Sequence, residues 1–158
     1  MTEQLEINSK PYGKVKVSKD QLISFPDGIL GFEDLTKYIL LDRNEGPFYW
    51  LQSQDVIEVA FVIINPMYFI SDYKLELSNQ DFVDIQLMND KDIEENLLHF
   101  AIVTIPPDDP NMMTANLLGP IIINKAKGLG KQALSLNNTY TVRHNILEEL
   151  DKSTGGGK

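Results

Sequence analysis

The groups in this 158-residue sequence that could move a proton or hold a metal are two histidines, His99 and His144, and 23 acidic side chains. His99 lies between Leu98 and Phe100 in a stretch that reads as a strand, so alternation sends it to the face opposite both neighbours. No partner motif for acid or base catalysis accompanies it. Two histidines without ligand spacing do not make a transition-metal site. Cysteine is absent, which removes disulfides, thiolate metal sites, redox motifs and cysteine nucleophiles together. The expectation is a protein with no catalytic residues, no metal and no cofactor.

Three local patterns imitate functional motifs and fail on particular residues. Asp90-Lys91-Asp92-Ile93-Glu94-Glu95 begins like a calcium loop, but Glu95 stands where glycine makes the sharp turn and Ala101 where the bidentate glutamate belongs. Gly128-Leu129-Gly130-Lys131-Gln132-Ala133 resembles a dinucleotide fingerprint after the apolar run Ile121-Ile122-Ile123. That fingerprint needs a helix next, to aim its N-terminus at a pyrophosphate, whereas residues 134–142 read as strand and turn. A hairpin loop is the better reading. It is no P-loop either, since Lys125 occupies the first glycine position and Gln132 replaces the magnesium-binding hydroxyl. Asn137-Asn138-Thr139 matches a glycosylation sequon that has no use without secretion.

The elements that would carry these residues are mostly strands. Runs rich in β-branched and aromatic residues occupy 5–7, 13–17, 38–41, 48–52, 59–64, 74–77, 98–105, 113–117, 121–124 and 132–136. Pro47, Pro66, Pro106, Pro107 and Pro120 mark their ends, because proline cannot donate to a ladder. Two short helices are expected: one over 79–87, capped by Ser78 with Phe82, Ile85 and Leu87 inward, and one near 143–150 with Ile146, Leu147 and Leu150 inward. Without βαβ alternation the fold class is all-β, mainly antiparallel, a small barrel-like single domain over 1–152. Residues 153–158, Ser-Thr-Gly-Gly-Gly-Lys, read as a disordered tail.

Charge narrows the partners. The net charge of −9 repels phosphate backbones, so no direct nucleic-acid binding is expected. Segment 76–109 carries Glu76, Asp81, Asp84, Asp90, Asp92, Glu94, Glu95, Asp108 and Asp109 against Lys91 alone. Segment 125–143 carries Lys125, Lys127, Lys131 and Arg143 with no acid. If the fold parts these segments, the molecule is electrically polar and steers a basic partner to one side; otherwise the acids are a solvated face. The opening MTEQLEINSK has no signal-peptide pattern and no window is long and apolar enough for a membrane span, so the expected location is the cytoplasm, with no membrane contact.

Several strings converge on one family. Phe25-Pro26-Asp27-Gly28-Ile29-Leu30-Gly31-Phe32-Glu33, then Pro47-Phe48-Tyr49-Trp50-Leu51-Gln52-Ser53, then Ala60-Phe61 leading to Asn65-Pro66, then Thr114-Ala115-Asn116-Leu117-Leu118 before Pro120, then Gly130-Lys131-Gln132, resemble the flagellar assembly factor FliW family in order and spacing. The resemblance runs from the first strand to Leu150, with small departures at Asn65 and Gly119. Read as scaffold, Pro26-Asp27-Gly28 is turn chemistry, Trp50 with Phe48 or Tyr49 would anchor a core layer, and Asn116 and Asn124 would satisfy backbone groups at strand ends.

The resemblance implies a two-partner switch: a cytoplasmic protein that binds flagellin before export and also binds the basic translational repressor CsrA, without occupying its RNA site. Candidate CsrA contacts are Glu33, Asp34, Glu76, Asp81, Asp84, Asp108 and Asp109. Asn65-Pro66-Met67-Tyr68-Phe69-Ile70 places large apolar residues after a turn signal and reads either as a strand returning to the core or as an exposed contact, with Met67, Tyr68 and Phe69 the candidates for flagellin. Two other classes compete. A hydrolase or isomerase would need two facing carboxylates in a barrel mouth, and a carbohydrate-binding sandwich would need Tyr49, Trp50 and Tyr73 as a flat exposed platform. Neither calls for a small-molecule substrate that the sequence itself identifies.

Overall fold

The computed structural model describes residues 4–42 and 47–155, with side chains described to residue 150. The chain opens with a hairpin of β1 (Gln4–Ser9) and β2 (Gly13–Ser18), followed by β3 (Leu22–Ser24), β4 (Lys37–Asp42), β5 (Phe48–Ser53) and β6 (Ala60–Ile64). Helices α1 (Asn79–Asp84) and α2 (Asp90–Asn96) lead into β7 (Leu97–Thr104). Strands β8 (Thr114–Ala115), β9 (Ile121–Asn124), β10 (Leu129–Gln132) and β11 (His144–Asn145) come next, and α3 (Ile146–Gly155) ends the described chain.

Strands β7-β6-β5-β4-β3-β10-β9 follow one another around a ring that β9 closes back onto β7. Seven strands cannot alternate direction all the way around a closed ring, so one neighbouring pair must be parallel. That pair is β3 with β10, joined at the single register pair Leu129↔Ser24 and by Ser24 N donating to Gly128 O at 2.7 Å. All other neighbours are antiparallel. Strand β7 is long enough to serve two partners on one edge, β9 through Leu97–Phe100 and β8 through Val103 and Thr104.

Alternation divides the residues of each wall strand between the barrel interior and an outer layer. Ile23, Phe25, Tyr38, Leu51, Ile63, Phe100, Ile121 and Ile123 fill the interior. Their neighbours face three coverings: the β1–β2 hairpin packs Val17, Leu5 and Ile7 onto Ile39, Leu41 and Trp50; segment 69–75 with Leu117 and Ile146 covers Val62, Ile64 and Val103; and the region of α1 and α2 covers Ile122 with Ile85 and Leu87. Strand β9 is therefore buried on both faces, each isoleucine contributing about 1.5–3 kcal/mol by leaving water. Gly130 lets β10 lie against the interior, since a Cβ there would sit 2.6 Å from the Phe25 ring.

The fold agrees with the sequence reading in class, and differs in detail for identifiable reasons. Residues 74–77 join no ladder; Lys74 N instead donates to the Tyr140 hydroxyl at 3.1 Å, and Leu75 and Leu77 anchor the segment through side chains. Strand β10 ends at Gln132 because Pro120 has no N–H to return the bond it accepts from Ala133 N. Helix α1 is capped by Ser78 as expected, but stops at Asp84, and Gln86 takes a φ of 63° before Leu87 turns inward. Helix α2 was not expected; Asn89 caps it at Asp92 N, with Asp90 and Asp92 in its first turn. Asn145 pairs with Thr114 rather than opening a helix, and α3 runs through 153–155, where a tail was expected; residues 156–158 lie outside the described residues. Of the two partners expected for Trp50 in a core layer, Phe48 joins it in the outer layer, whereas Tyr49 meets Phe100 edge-on inside the barrel.

Candidate functional site

The β9–β10 hairpin continues past its last ladder pair. Ala133 N donates to Pro120 O and Ser135 N to Leu118 O, both at 2.8 Å, so residues 118–120 and 133–136 form a ribbon in register with the barrel wall. Its side chains are inverted relative to polarity. Ala133 and Ser135 are buried at 7% and 6% exposure, Ala133 on the face of Ile122 where Ile85 and Leu87 cover it, while Leu134 and Leu136, on the alternate face that Gly130 turns to the barrel interior, are 65% and 64% exposed.

Leu134 borders a groove of about 480 Å3 that Leu30, Leu118 and Val142 line with it, together with Asn116, Gln132 and Asp81. Leu30 is 80% exposed, yet its position is fixed. Gly28 and Gly31 hold positive φ angles on either side of it, and any Cβ on Gly28 would come within 2.7 Å of the Phe32 and Glu33 backbone. Leu30 N donates to Gln132 Oε1 at 2.9 Å, and Gln132 Nε2 donates to Gly119 O at 3.1 Å. Gly119 N in turn donates to Asn116 Oδ1 at 2.8 Å. One glutamine therefore ties the 26–33 turn to the 116–119 turn, and the groove lies where the two meet.

Carboxylates surround it. A smaller depression sharing Leu30 and Gln132 is lined by Asp27, Glu33 and Lys131. Glu33 Oε2 accepts from Gly31 N at 3.0 Å, which holds its carboxyl below the usual range. Lys131 Nζ lies 2.9 Å from Asp81 and 2.8 Å from Asp84, so one cation meets two anions. Burial opposes the Lys131 charge, but hydrogen bonds and attraction from Asp84 and Asp81 outweigh it and raise the ammonium above its ordinary value. The Lys131 and Gln80 hydrogen bonds lower Asp84.

The sequence candidates separate into three places. Glu33, Asp81 and Asp84 border the groove region; Asp34 is exposed beside Glu33. Glu76 is exposed, and its carbonyl accepts from Leu136 N at 2.8 Å. Asp108 and Asp109 are exposed on another loop, where Asp109 caps a short 3-10 turn at Asn111. No acid of segment 76–109 is buried. Of the two readings of the charge map, parted segments are not what the fold shows: Lys131 is paired with Asp81 and Asp84, and Lys125 N bonds to Asn96 O at the end of α2, so the basic segment adjoins the acidic one. Of the apolar trio, Met67 and Tyr68 are exposed, but Phe69 is not available for contact. It is buried in the outer layer with its ring 6.0 Å from His144, because Asn65 caps a 3-10 turn that rolls Phe69 inward.

His99 does face away from Leu98 and Phe100, stacked 5.8 Å from Tyr73, whose ring stacks 5.0 Å from Tyr140. Burial lowers its pKa and pushes the Tyr73 hydroxyl up to about 12. Tyr73 is in the core and Tyr49 faces the barrel interior, so the aromatic sugar platform is not formed. Among the described residues Asp20, Glu33 and Asp84 are the carboxyls displaced from their ordinary values, and all three are lowered, the wrong direction for a general acid. Among the described residues no group of three or more histidine and acidic side chains is placed to hold a metal, and no described helix is long and apolar enough to cross a membrane. Asn124 does satisfy backbone groups, donating to Ile85 O at 2.8 Å and accepting from Ala126 N at 3.1 Å.

Sequence reasoning missed Leu30, Leu134, Leu136 and Val142. The alternation of 133–136 was visible, but it assigns leucine to the inside. Only the neighbouring motif strings, whose Leu30, Asn116 and Gln132 meet here, carried a signal.

Closed wall and outer coverings define the class: a small seven-stranded barrel protein, with an apolar groove where the 26–33 and 116–119 turns meet. Comparison narrows the class. A family model described as FliW protein matches residues 6–146. The flagellar assembly factor FliW of Leptospira interrogans serovar Lai is 45% identical over 152 residues, covering 96% of this chain and 99% of the relative. That of Treponema denticola is 41% identical over 147 residues, covering 93% and 97%. A crystal structure of the flagellar assembly factor FliW superposes with a TM-score of 0.80 at 28% identity, covering 90% of this chain and 96% of the other. The chain belongs to the FliW family.

Proposed function

We propose that this chain is a cytoplasmic flagellar assembly factor that works by binding flagellin and the repressor CsrA, and that it performs no chemistry of its own. The observation that carries the reading is the junction of the family strings themselves: Leu30, Asn116 and Gln132 come from separate parts of the sequence and assemble one uncovered groove with ionised carboxylates beside it. Binding of a basic repressor is supported by the exposed acids, Glu33, Asp34, Glu76, Asp84, Asp108 and Asp109, and by the half-buried Asp81. Flagellin contact through Met67 and Tyr68 draws support from their exposure alone. Flagellin titrates the factor away from the repressor, and export of flagellin returns it, so that translation follows demand.

Calorimetric titration of the purified chain with purified flagellin and with CsrA tests the proposal. Both bind, and flagellin displaces CsrA. Reversal of Glu33, Asp81 and Asp84 weakens CsrA and flattens its salt dependence. Failure of both partners to bind overturns the reading.

A further inference from the structure

We infer that the Leu30–Leu134 groove is the anchor site for a basic amphipathic segment of a partner protein, leucine-type side chains bordered by lysine or arginine. The inference rests on the reading of this chain as a binding protein and assigns that role to one surface. Single exposed leucines are ordinary, whereas several lining one concavity are not. Here Leu30, Leu118, Leu134 and Val142 line a volume of about 480 Å3, the size range of sites that enclose a compact ligand.

The exposure is built in. A one-residue slip of the ribbon would put Leu134 and Leu136 on its buried face and Ala133 and Ser135 on its exposed one. The four pairs from Leu129↔Asn124 to Gln132↔Ile121 forbid that slip, and the bonds to Pro120 and Leu118 carry the register onward. Gln132 holds Leu30 out over the groove, so little ordering is left for a partner to impose.

Charge selects the occupant. Asp27, Glu33, Asp81 and Asp84 stand around the groove against Lys131, whose ammonium already faces two of them. The surplus is negative, within a chain of net −9. A second copy would bring the same acidic rim and be repelled, while an acidic or neutral apolar segment would leave the rim unanswered.

The test uses fluorescence anisotropy with two labelled synthetic peptides, an amphipathic helix of leucine and lysine and its twin with glutamate for lysine. The lysine peptide binds and the glutamate twin does not. Leu30→Gln and Leu134→Gln, changes at exposed side chains that leave the fold intact by thermal melting, each weaken the lysine peptide at least about tenfold. Met67→Gln, on the other apolar surface, leaves it unchanged. Raising ionic strength from about 0.1 M to about 1 M, which shortens the screening length from about 10 Å to about 3 Å, also weakens it. Equal binding of the twins, unchanged binding in both groove variants, or a self-association of the chain that Leu134→Gln abolishes would overturn the inference. If flagellin and CsrA bind the groove variants as tightly as the parent, the groove assignment fails and the proposed function stands. If the peptide binds but neither protein does, the reverse holds.

Discussion

Strand β9 and the ribbon beyond Pro120 belong to one hairpin, share one register and treat their side chains in opposite ways. At Ile121, Ile122 and Ile123 both faces are buried, one by the barrel interior and one by residues around α1 and α2. Further along, Ala133 stays under the same covering residues as Ile122 and Ser135 is buried too, while Leu134 and Leu136 continue the face of Ile121 and Ile123 and are bare. Backbone pairing continues from one to the other, so burial follows from whether the packed barrel interior still stands before that face. The lesson is that a leucine's place in a strand does not decide its role; what its face meets does.

Substitutions can break that comparison. Ile121→Ala empties a fully buried site and is expected to cost about 2–5 kcal/mol in urea unfolding. Leu134→Ala should stay within about 0.5 kcal/mol. Equal losses at the two positions would mean that the ribbon is core and the comparison fails. Gly130→Ala drives a methyl into Phe25 and should cost about 1–3 kcal/mol, read as a lowered melting temperature. Gln132→Ala removes both bonds that join the two turns; about 1–2 kcal/mol is expected, with faster hydrogen exchange at Leu30 N than in the parent.

The smallest effect is in pH. His99 is stacked on Tyr73 with Nδ1 buried and unbonded, and burial lowers its pKa from 6.5. The unfolded chain then takes up this proton more readily than the folded one, so stability falls as pH drops below about 6.5. In His99→Phe, which keeps a ring in the stack, the urea midpoint should fall less between pH 7 and pH 5. An unaltered slope would assign the acid loss to other groups.

Much of the barrel was legible because its wall strands are short β-branched and aromatic runs bounded by proline. The interior partners of Phe25, Leu51 and Phe100 follow from alternation once the strands are placed. Residues 74–77 look like a strand but depend on the Tyr140 hydroxyl, a contact from 66 positions away that no local pattern contains. Helix α2 carried a legible signal in Asn89, Asp90 and Asp92, the cap and first-turn acids that a dipole favours, and a failed calcium motif obscured it. The family strings pointed to the right turns, and to Gln132 within them. The groove itself was hidden, since leucine alternating with alanine and serine predicts leucine on the buried face, and which face the barrel and its coverings bury is a fact of tertiary packing.

The lone parallel contact has a temporal consequence. Ser24 and Leu129 are separated by 105 positions, and β3 can zip to β10 only after both neighbouring hairpins exist. Ring closure is thus a late event in folding, and the same seam should be the first to part. Since Gln132 lies in β10 and accepts from Leu30 N in the turn that follows β3, its side chain is a second fastening across that seam.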